Sequence, residues 1–417
     1  MRILELTPAA ERKLLRSRRQ ADARTQMISA RIVADVRKRG DAAVFAWTRK
    51  LDRVSLDAES VWVTPEECED ALRAIPRGLL RAIDHAARNI RRVARRQRPS
   101  EWSFEPEPGV EVRQRVQAME SAGCYIPGGR YSLVSTLLMT SIPAQVAGVK
   151  QIVVASPKPG VAILAAAARL GIDRVARIGG AQAIAALAYG TESIPRVDKI
   201  CGPGNRFVTS AKRLVSGDCS IDMLAGPTEA IVFGSKGDPG FIAADLLAQA
   251  EHDPDAVSMF VTTSAKLGRA VAGEIARQMR ALAKENPART SIPRNGAVVL
   301  AKNAGAAVRF INRFAPEHLT ILESEARLEP ELRSAGSIFL GRWSAQTFGD
   351  YATGTNHVLP TAGAARAGGG LSTADFVNCV TVQKISPEGF RALAPVAREL
   401  AEAEGLAAHA RSIEVRR

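Results

Sequence analysis

From about residue 120 onward the chain repeats one pattern. Short runs of consecutive apolar residues alternate with alanine-rich stretches of helical spacing. The apolar runs are QIVVASP (151–157), RVARIGG (174–180), DKICGPG (198–204), EAIVFG (229–234), VSMFVTT (257–263), GAVVLA (296–301), HLTILES (318–324) and GSIFLG (336–341). Helical stretches fall between most of them, at 160–170, 181–189, 205–216, 240–251 and 303–313. Strands that are apolar throughout, joined by helical crossovers, predict parallel sheets covered on both faces. Eight such units exceed one comfortable sheet, so the pattern predicts an α/β protein with two doubly wound domains.

The flanks read differently. The first hundred residues predict helices, with one strand at VWVTPEE (61–67) and a helical pattern over 31–52 broken by Gly40. After about 371 the pattern turns helical again. The expected division is an N-terminal helical arm (1–22), a first domain built from 23–124 and 229–371, a second domain inserted at 125–228, and a C-terminal helical tail (372–417).

Composition adds little to the fold and more to the class. With 46% hydrophobic and 24% charged residues in 417, the chain is ordinary globular protein. No run approaches the roughly 18–20 apolar residues of a membrane helix, and the charged N-terminus does not suit a secretory signal. A cytoplasmic protein with no membrane partner is expected. The net charge of +14 is concentrated: residues 1–100 hold 23 Lys and Arg against 13 Asp and Glu. It peaks in RNIRRVARRQRP (88–99), an arginine-rich helix predicted to end before Pro99. No nucleic-acid motif accompanies it, so a solvated face or an attractor of anions is the better reading than nucleic-acid binding. The five cysteines lie far apart with no C-x-x-C pair, so neither a disulfide framework nor a cysteine zinc site is suggested, and Cys124 and Cys201 read as small buried hydrophobes.

Glycine-rich turns at YIPGGRYS (125–132), RIGGAQA (177–183) and CGPGNRF (201–207) each lead into a helix, where anionic groups are favoured. None fits G-x-G-x-x-G; in the nearest match, opened by Gly202 and Gly204, Phe207 stands at the sixth position of the motif. Of the five histidines, His85 reads as surface, while the others sit beside polar or acidic groups. In LLAQAEHDP, Gln249 and His252 are three residues apart and can share a helix face. With Asp350 and His409 they could form a divalent-metal site, or His252 could simply favour a helix C-terminus. In FAPEHLTI, Glu317 and His318 are either a proton-transfer pair at a strand mouth or a solvated acidic turn.

Taken together, GCYIPGGRY, IGGAQAIAALAYGTESIPRVDKICGPGN, SIDMLAGPTE, LLAQAEHDP, APEHL, FGDYATGTNHVLPT and EGLAAHA resemble, in this order, the motifs of the histidinol dehydrogenase family. The resemblance spans essentially the whole chain. It implies two Rossmann-like domains and oxidation of L-histidinol through L-histidinal to L-histidine, using two NAD and one Zn2+ per site. It further implies Gln249, His252, Asp350 and His409 as zinc ligands, His409 coming from the partner subunit of a homodimer. His318 then matches the general base and Glu317 the group that activates water. Thr228, His357 and Glu404 match substrate contacts, shared with Gln249, His252, His318, Asp350 and His409. Tyr125, Gln182 and Asn205 match NAD contacts. Two departures stand out: Thr228 replaces a common serine, and Ala345-Gln346 replaces a common Pro-Glu.

Overall fold

The computed structural model describes residues 1–16, 23–128 and 132–416. Part of the expected N-terminal arm (17–22) and the middle of YIPGGRYS (129–131) lie outside the described residues. Two parallel sheets form the body, as the alternating pattern predicts. The first runs in the order Arg2–Glu5, Ala297–Leu300, Val257–Thr262, Glu229–Phe233, His318–Ile321, Ser337–Leu340. The second runs Arg174–Ala176, Gln151–Ala155, Ser121–Tyr125, Lys199–Cys201, Ser220–Ile221. Glu229–Phe233 is buried at every position, which is why EAIVFG reads as an apolar run; Ser121–Tyr125, equally buried, is a central strand that the pattern did not predict.

Helices cover both faces of each sheet. Pro8–Arg16 and Ala304–Phe314 pack on one face of the first sheet, around Phe233, Phe310 and Phe314. Pro239–Ala250, Ala265–Met279 and Ala288–Asn295 pack on the other. The helices between 23 and 97 were expected to belong with 229–371, yet they pack on the second sheet. Ala23–Arg39 lies against Gly180–Tyr189 and Arg206–Val215, while Pro65–Ala74 lies against Val161–Leu170 and Arg77–Gln97 against Val134–Ala147. Apolar stripes on those helices, such as Ile83, Ala86, Ala87, Ile90 and Ala94, find their partners there.

Three features differ from the sequence expectation. Residues 61–67 form only an antiparallel bridge, Trp62 to Ala176, because a Thr64–Glu67 capping box and Pro65 start the helix Pro65–Ala74 at once. Arg2–Glu5, expected as part of a helical arm, is an edge strand of the first sheet. Val377–Ile385, expected as helix, pairs with Val110–Ala118, which also pairs with Trp102–Glu107, in a third, antiparallel sheet. Its outer strands are exposed at almost every position, and polar residues interrupt the apolar ones along it, unlike the continuous apolar runs of the buried sheets. Helices Pro387–Ala403 and Ala407–Glu414 end the chain. Among the described residues no helix is long and apolar enough to cross a membrane.

Candidate active site

In the first sheet the strand order reverses between Glu229–Phe233 and His318–Ile321, which marks a topological switch point. The candidate pair lies at the amino ends of these strands, opposite to the usual carboxyl-end crevice: His318 is the first strand residue and Glu317 precedes it. Ala315 caps the preceding helix in a left-handed conformation (φ 49°), and Pro316 follows. The Glu317 carbonyl accepts the Ser337 N–H (2.9 Å), and its Oε2 accepts the Glu229 N–H (3.0 Å). Gly336 is required beside this turn, since a Cβ there would stand 2.6 Å from the Glu317 carbonyl oxygen.

His318 is held between two carboxylates. Its Nδ1 lies 3.8 Å from Glu317 Oε2, and its Nε2 lies 3.4 Å from Asp350 Oδ1. The ring stacks on Phe339 at 6.1 Å between centroids, and Gly349 leaves room for that ring. Nδ1 is buried and has no hydrogen-bond partner. Burial pushes the Glu317 carboxyl up to about 8, helped by the Glu229 and Asp350 carboxylates against the pull of His318. For His318, burial opposes the charged form, but Glu317 and Asp350 outweigh it and raise the pKa. Asp350 is likewise penalised by burial, yet His318, His357 and His252 hold its pKa below the ordinary value.

Asp350 sits on the short helix Gln346–Tyr351, and its Oδ2 accepts the Gln249 amide N–H (3.0 Å) from the end of Pro239–Ala250. His252 follows that helix end; it stays exposed on one side, while surrounding protein lowers its pKa and favours neutral imidazole. An ionised carboxylate, a neutral imidazole and an amide oxygen are the ligand forms a borderline divalent metal takes. Gln249, His252 and Asp350 therefore fit a metal as three donors. Among the described residues no three His, Cys, Asp or Glu stand together as a metal-holding group, the third donor here being an amide. His409 and Glu404 are exposed at the C-terminal end, and among the described residues of one chain neither makes a hydrogen bond or ion pair with this cluster.

The loop from Asp350 to Thr361 ties the two halves of the molecule together. His357 Nδ1 donates to the Asp350 carbonyl (2.9 Å), so its Nε2 is left to accept from the Thr136 hydroxyl (3.3 Å). Burial lowers the His357 pKa. The Asn356 amide donates to the Met139 carbonyl (2.7 Å). Thr136 and Met139 belong to Val134–Ala147, which follows the carboxyl end of the second sheet's central strand. The carboxyl edge of the second sheet thus meets the amino edge of the first. Thr228, half-buried, directly precedes Glu229.

Tyr125 ends the central strand of the second sheet, and Gln182 and Asn205 follow the carboxyl ends of Arg174–Ala176 and Lys199–Cys201; the switch point lies between Ser121–Tyr125 and Lys199–Cys201. The Tyr125 hydroxyl accepts the Gly180 N–H (3.1 Å), and burial pushes it up to about 12. Gln182 donates to Asp52 (3.3 Å), while its Oε1 is buried and unpartnered, an acceptor left for a bound donor. Asn205 caps Arg206–Val215, accepting from the Phe207 and Val208 N–H groups. Beside it, sequence reasoning missed a buried ion pair, Lys212 with Asp222. Lys212 also donates to the Gly202 carbonyl (3.1 Å), and Asp222 accepts the Gly202 N–H (2.8 Å). Gly202 stands at φ 111° with no room for a Cβ against the Tyr125 carbonyl. Also missed were Glu229, Thr136 and Phe339. Glu229 ends the motif SIDMLAGPTE, but its closeness to Glu317 is a product of strand pairing.

Comparison with known proteins is consistent across the chain. A family model described as histidinol dehydrogenase matches residues 15–417. Histidinol dehydrogenase of Agrobacterium fabrum is 45% identical over 391 residues, covering 92% of this chain and 90% of that protein. That of Methanothermobacter thermautotrophicus is 46% identical over 395 residues, covering 93% and 92%. A crystal structure of histidinol dehydrogenase from Elizabethkingia anophelis superposes with a TM-score of 0.94 at 34% identity, covering 100% of this chain and 97% of that one.

Proposed function

The chain belongs to the histidinol dehydrogenase family, and we propose that it oxidises L-histidinol through L-histidinal to L-histidine, closing histidine biosynthesis in the cytoplasm. In this reading Gln249, His252 and Asp350, with His409 of the partner subunit, hold a zinc ion, and the enzyme is a homodimer. Tyr125, Gln182 and Asn205 hold NAD. Thr228 and His357, with Glu404 of the partner subunit, orient the substrate. When bound, zinc would supply a Lewis acid that fixes the substrate's imidazole and amine, and NAD the hydride acceptor, two per turnover.

The observation that carries the reading is His318 held between Glu317 and Asp350. Nδ1 has no hydrogen-bond partner and is the ring atom open to take the proton of the substrate hydroxyl. Asp350, on Nε2, holds the ring and stabilises its charged form. The second oxidation needs a hydrated aldehyde, and Glu317 is the second base, taking a proton from the water that adds. A pKa of about 8 places it near the operating pH, where a base combines availability with driving force. The proton on His318 favours ionised Glu317 at the moment water must be activated. An anaerobic assay with L-histidinol and NAD tests this directly: two NADH per histidine are expected, and NAD-independent turnover or one NADH per product would sink it.

A further inference from the structure

The helix Arg77–Gln97 presents an arginine stripe that the site does not use. Arg88, Arg91, Arg92 and Arg95 share one face with Asp84, at spacings of three and four residues. They line a groove of about 540 Å³, closed on its far side by Arg169 from the end of Val161–Leu170. Asp84 is the one acid in the groove, and Arg169 holds both of its oxygens, at 2.6 and 3.2 Å. Among the described residues no carboxylate pairs with Arg88, Arg91, Arg92 or Arg95. The side chains that hydrogen-bond to them are not acids: His85 for Arg88 (3.3 Å) and Gln145 for Arg91 (3.4 Å).

Like charges three and four residues apart destabilise a helix. The helix dipole offers a bland account of Arg95 and Arg96 in the last turn, but its reach ends there and leaves Arg88, Arg91 and Arg92 unexplained. A ligand carrying several negative charges in a row removes the conflict. The stripe from Arg88 to Arg95 runs about 10 Å along the helix axis. Guanidinium forks match phosphate oxygens in pairs, and a single carboxylate could meet only one of them. The groove is lined besides by Ala87 and Leu170, with no aromatic ring on which a nucleobase could stack. We propose that this groove is a binding site for a free oligophosphate anion, separate from the dehydrogenase centre.

The test is isothermal titration of the full-length protein with inorganic tripolyphosphate. One saturable site per chain is expected, with orthophosphate at least about tenfold weaker and binding that weakens as salt is raised. The Arg92→Gln/Arg95→Gln variant should lose at least about tenfold in affinity with histidinol turnover unchanged. On the unmodified protein, tripolyphosphate should shield Arg91, Arg92 and Arg95 from phenylglyoxal while leaving Arg342 reactive. No saturable binding, an unaltered affinity in the variant, or uniform labelling would overturn the site. Tighter binding of a single-stranded oligonucleotide than of tripolyphosphate would overturn it too, assigning the face to nucleic acid.

Discussion

Glu317 and His318 are consecutive, yet Glu317 Oε2 comes within 3.8 Å of His318 Nδ1. Neighbours inside a strand point to opposite faces. Glu317 escapes that rule because it stands one residue before His318–Ile321, after the left-handed Ala315 and Pro316. Two ionisable groups are thereby packed into one buried pocket, and each shifts the other.

Replacing His318 with Asn removes the base but keeps a polar side chain of similar reach. Steady-state turnover should fall by about 10²–10⁴-fold, with bound zinc, measured by elemental analysis, unchanged. Turnover at the level of the unsubstituted enzyme would remove His318 from the mechanism.

Glu317→Gln should slow oxidation of the aldehyde more than that of the alcohol, measured in separate assays with L-histidinal and L-histidinol. A base works when deprotonated, so aldehyde oxidation by the unsubstituted enzyme should rise with pH through about 8 and then level off. That limb should vanish in the variant. Equal loss in both half-reactions would end the division of labour.

Asp245 gives a prediction about stability. Burial alone pushes its carboxyl up to about 6, with no basic group to offset it. The ionised form is therefore costlier in the folded chain than in the unfolded one. The penalty is absent below the ordinary value of 3.8, grows up to about 6, and is complete above that. Thermal unfolding of Asp245→Asn should show a gain on the order of 1–3 kcal/mol at pH 7.5 and none near pH 4.

Lys212→Met would leave Asp222 buried and unpaired beside the Gly202 turn. Denaturant unfolding should register a loss of about 3–5 kcal/mol, part of it returned when Asp222→Asn is added. A change under about 1 kcal/mol would mean that the pair is dispensable.

If the zinc shell spans two subunits, His409→Ala mixed with His252→Ala should regain activity, because one of the two sites in a heterodimer is then intact. Verified heterodimers that stay inactive would place the site in a single chain.

The sequence made the buried strands legible because a strand covered on both faces must be apolar throughout, and all eight such runs form strands. It hid Val110–Ala118 and Val377–Ile385, whose exposed positions admit polar residues and so carry a weaker signal, and whose partnership spans some 270 residues. In the site, the pairs that lie close along the chain were legible: Gln249 with His252, and Glu317 with His318. The hydrogen bond from Gln249 to Asp350 was not foreseen; Asp350 was legible only as a candidate co-ligand of Gln249, since the two lie 101 residues apart. Glu229 was missed for the same reason. Its amide reaches Glu317 only after two strands have been placed side by side, and no local pattern encodes that step.

The pairing of Arg2–Glu5 with Ala297–Leu300 also sets an order of events during synthesis. The second sheet is complete once residue 221 has emerged from the ribosome, whereas the first strand of the chain must wait for a neighbour nearly 300 residues later. At about 5–20 residues per second that wait lasts on the order of 15–60 s. Throughout it the half of the molecule that will carry Glu317 and His318 is incomplete, and Arg2–Glu5 is an unpaired strand open to chaperones.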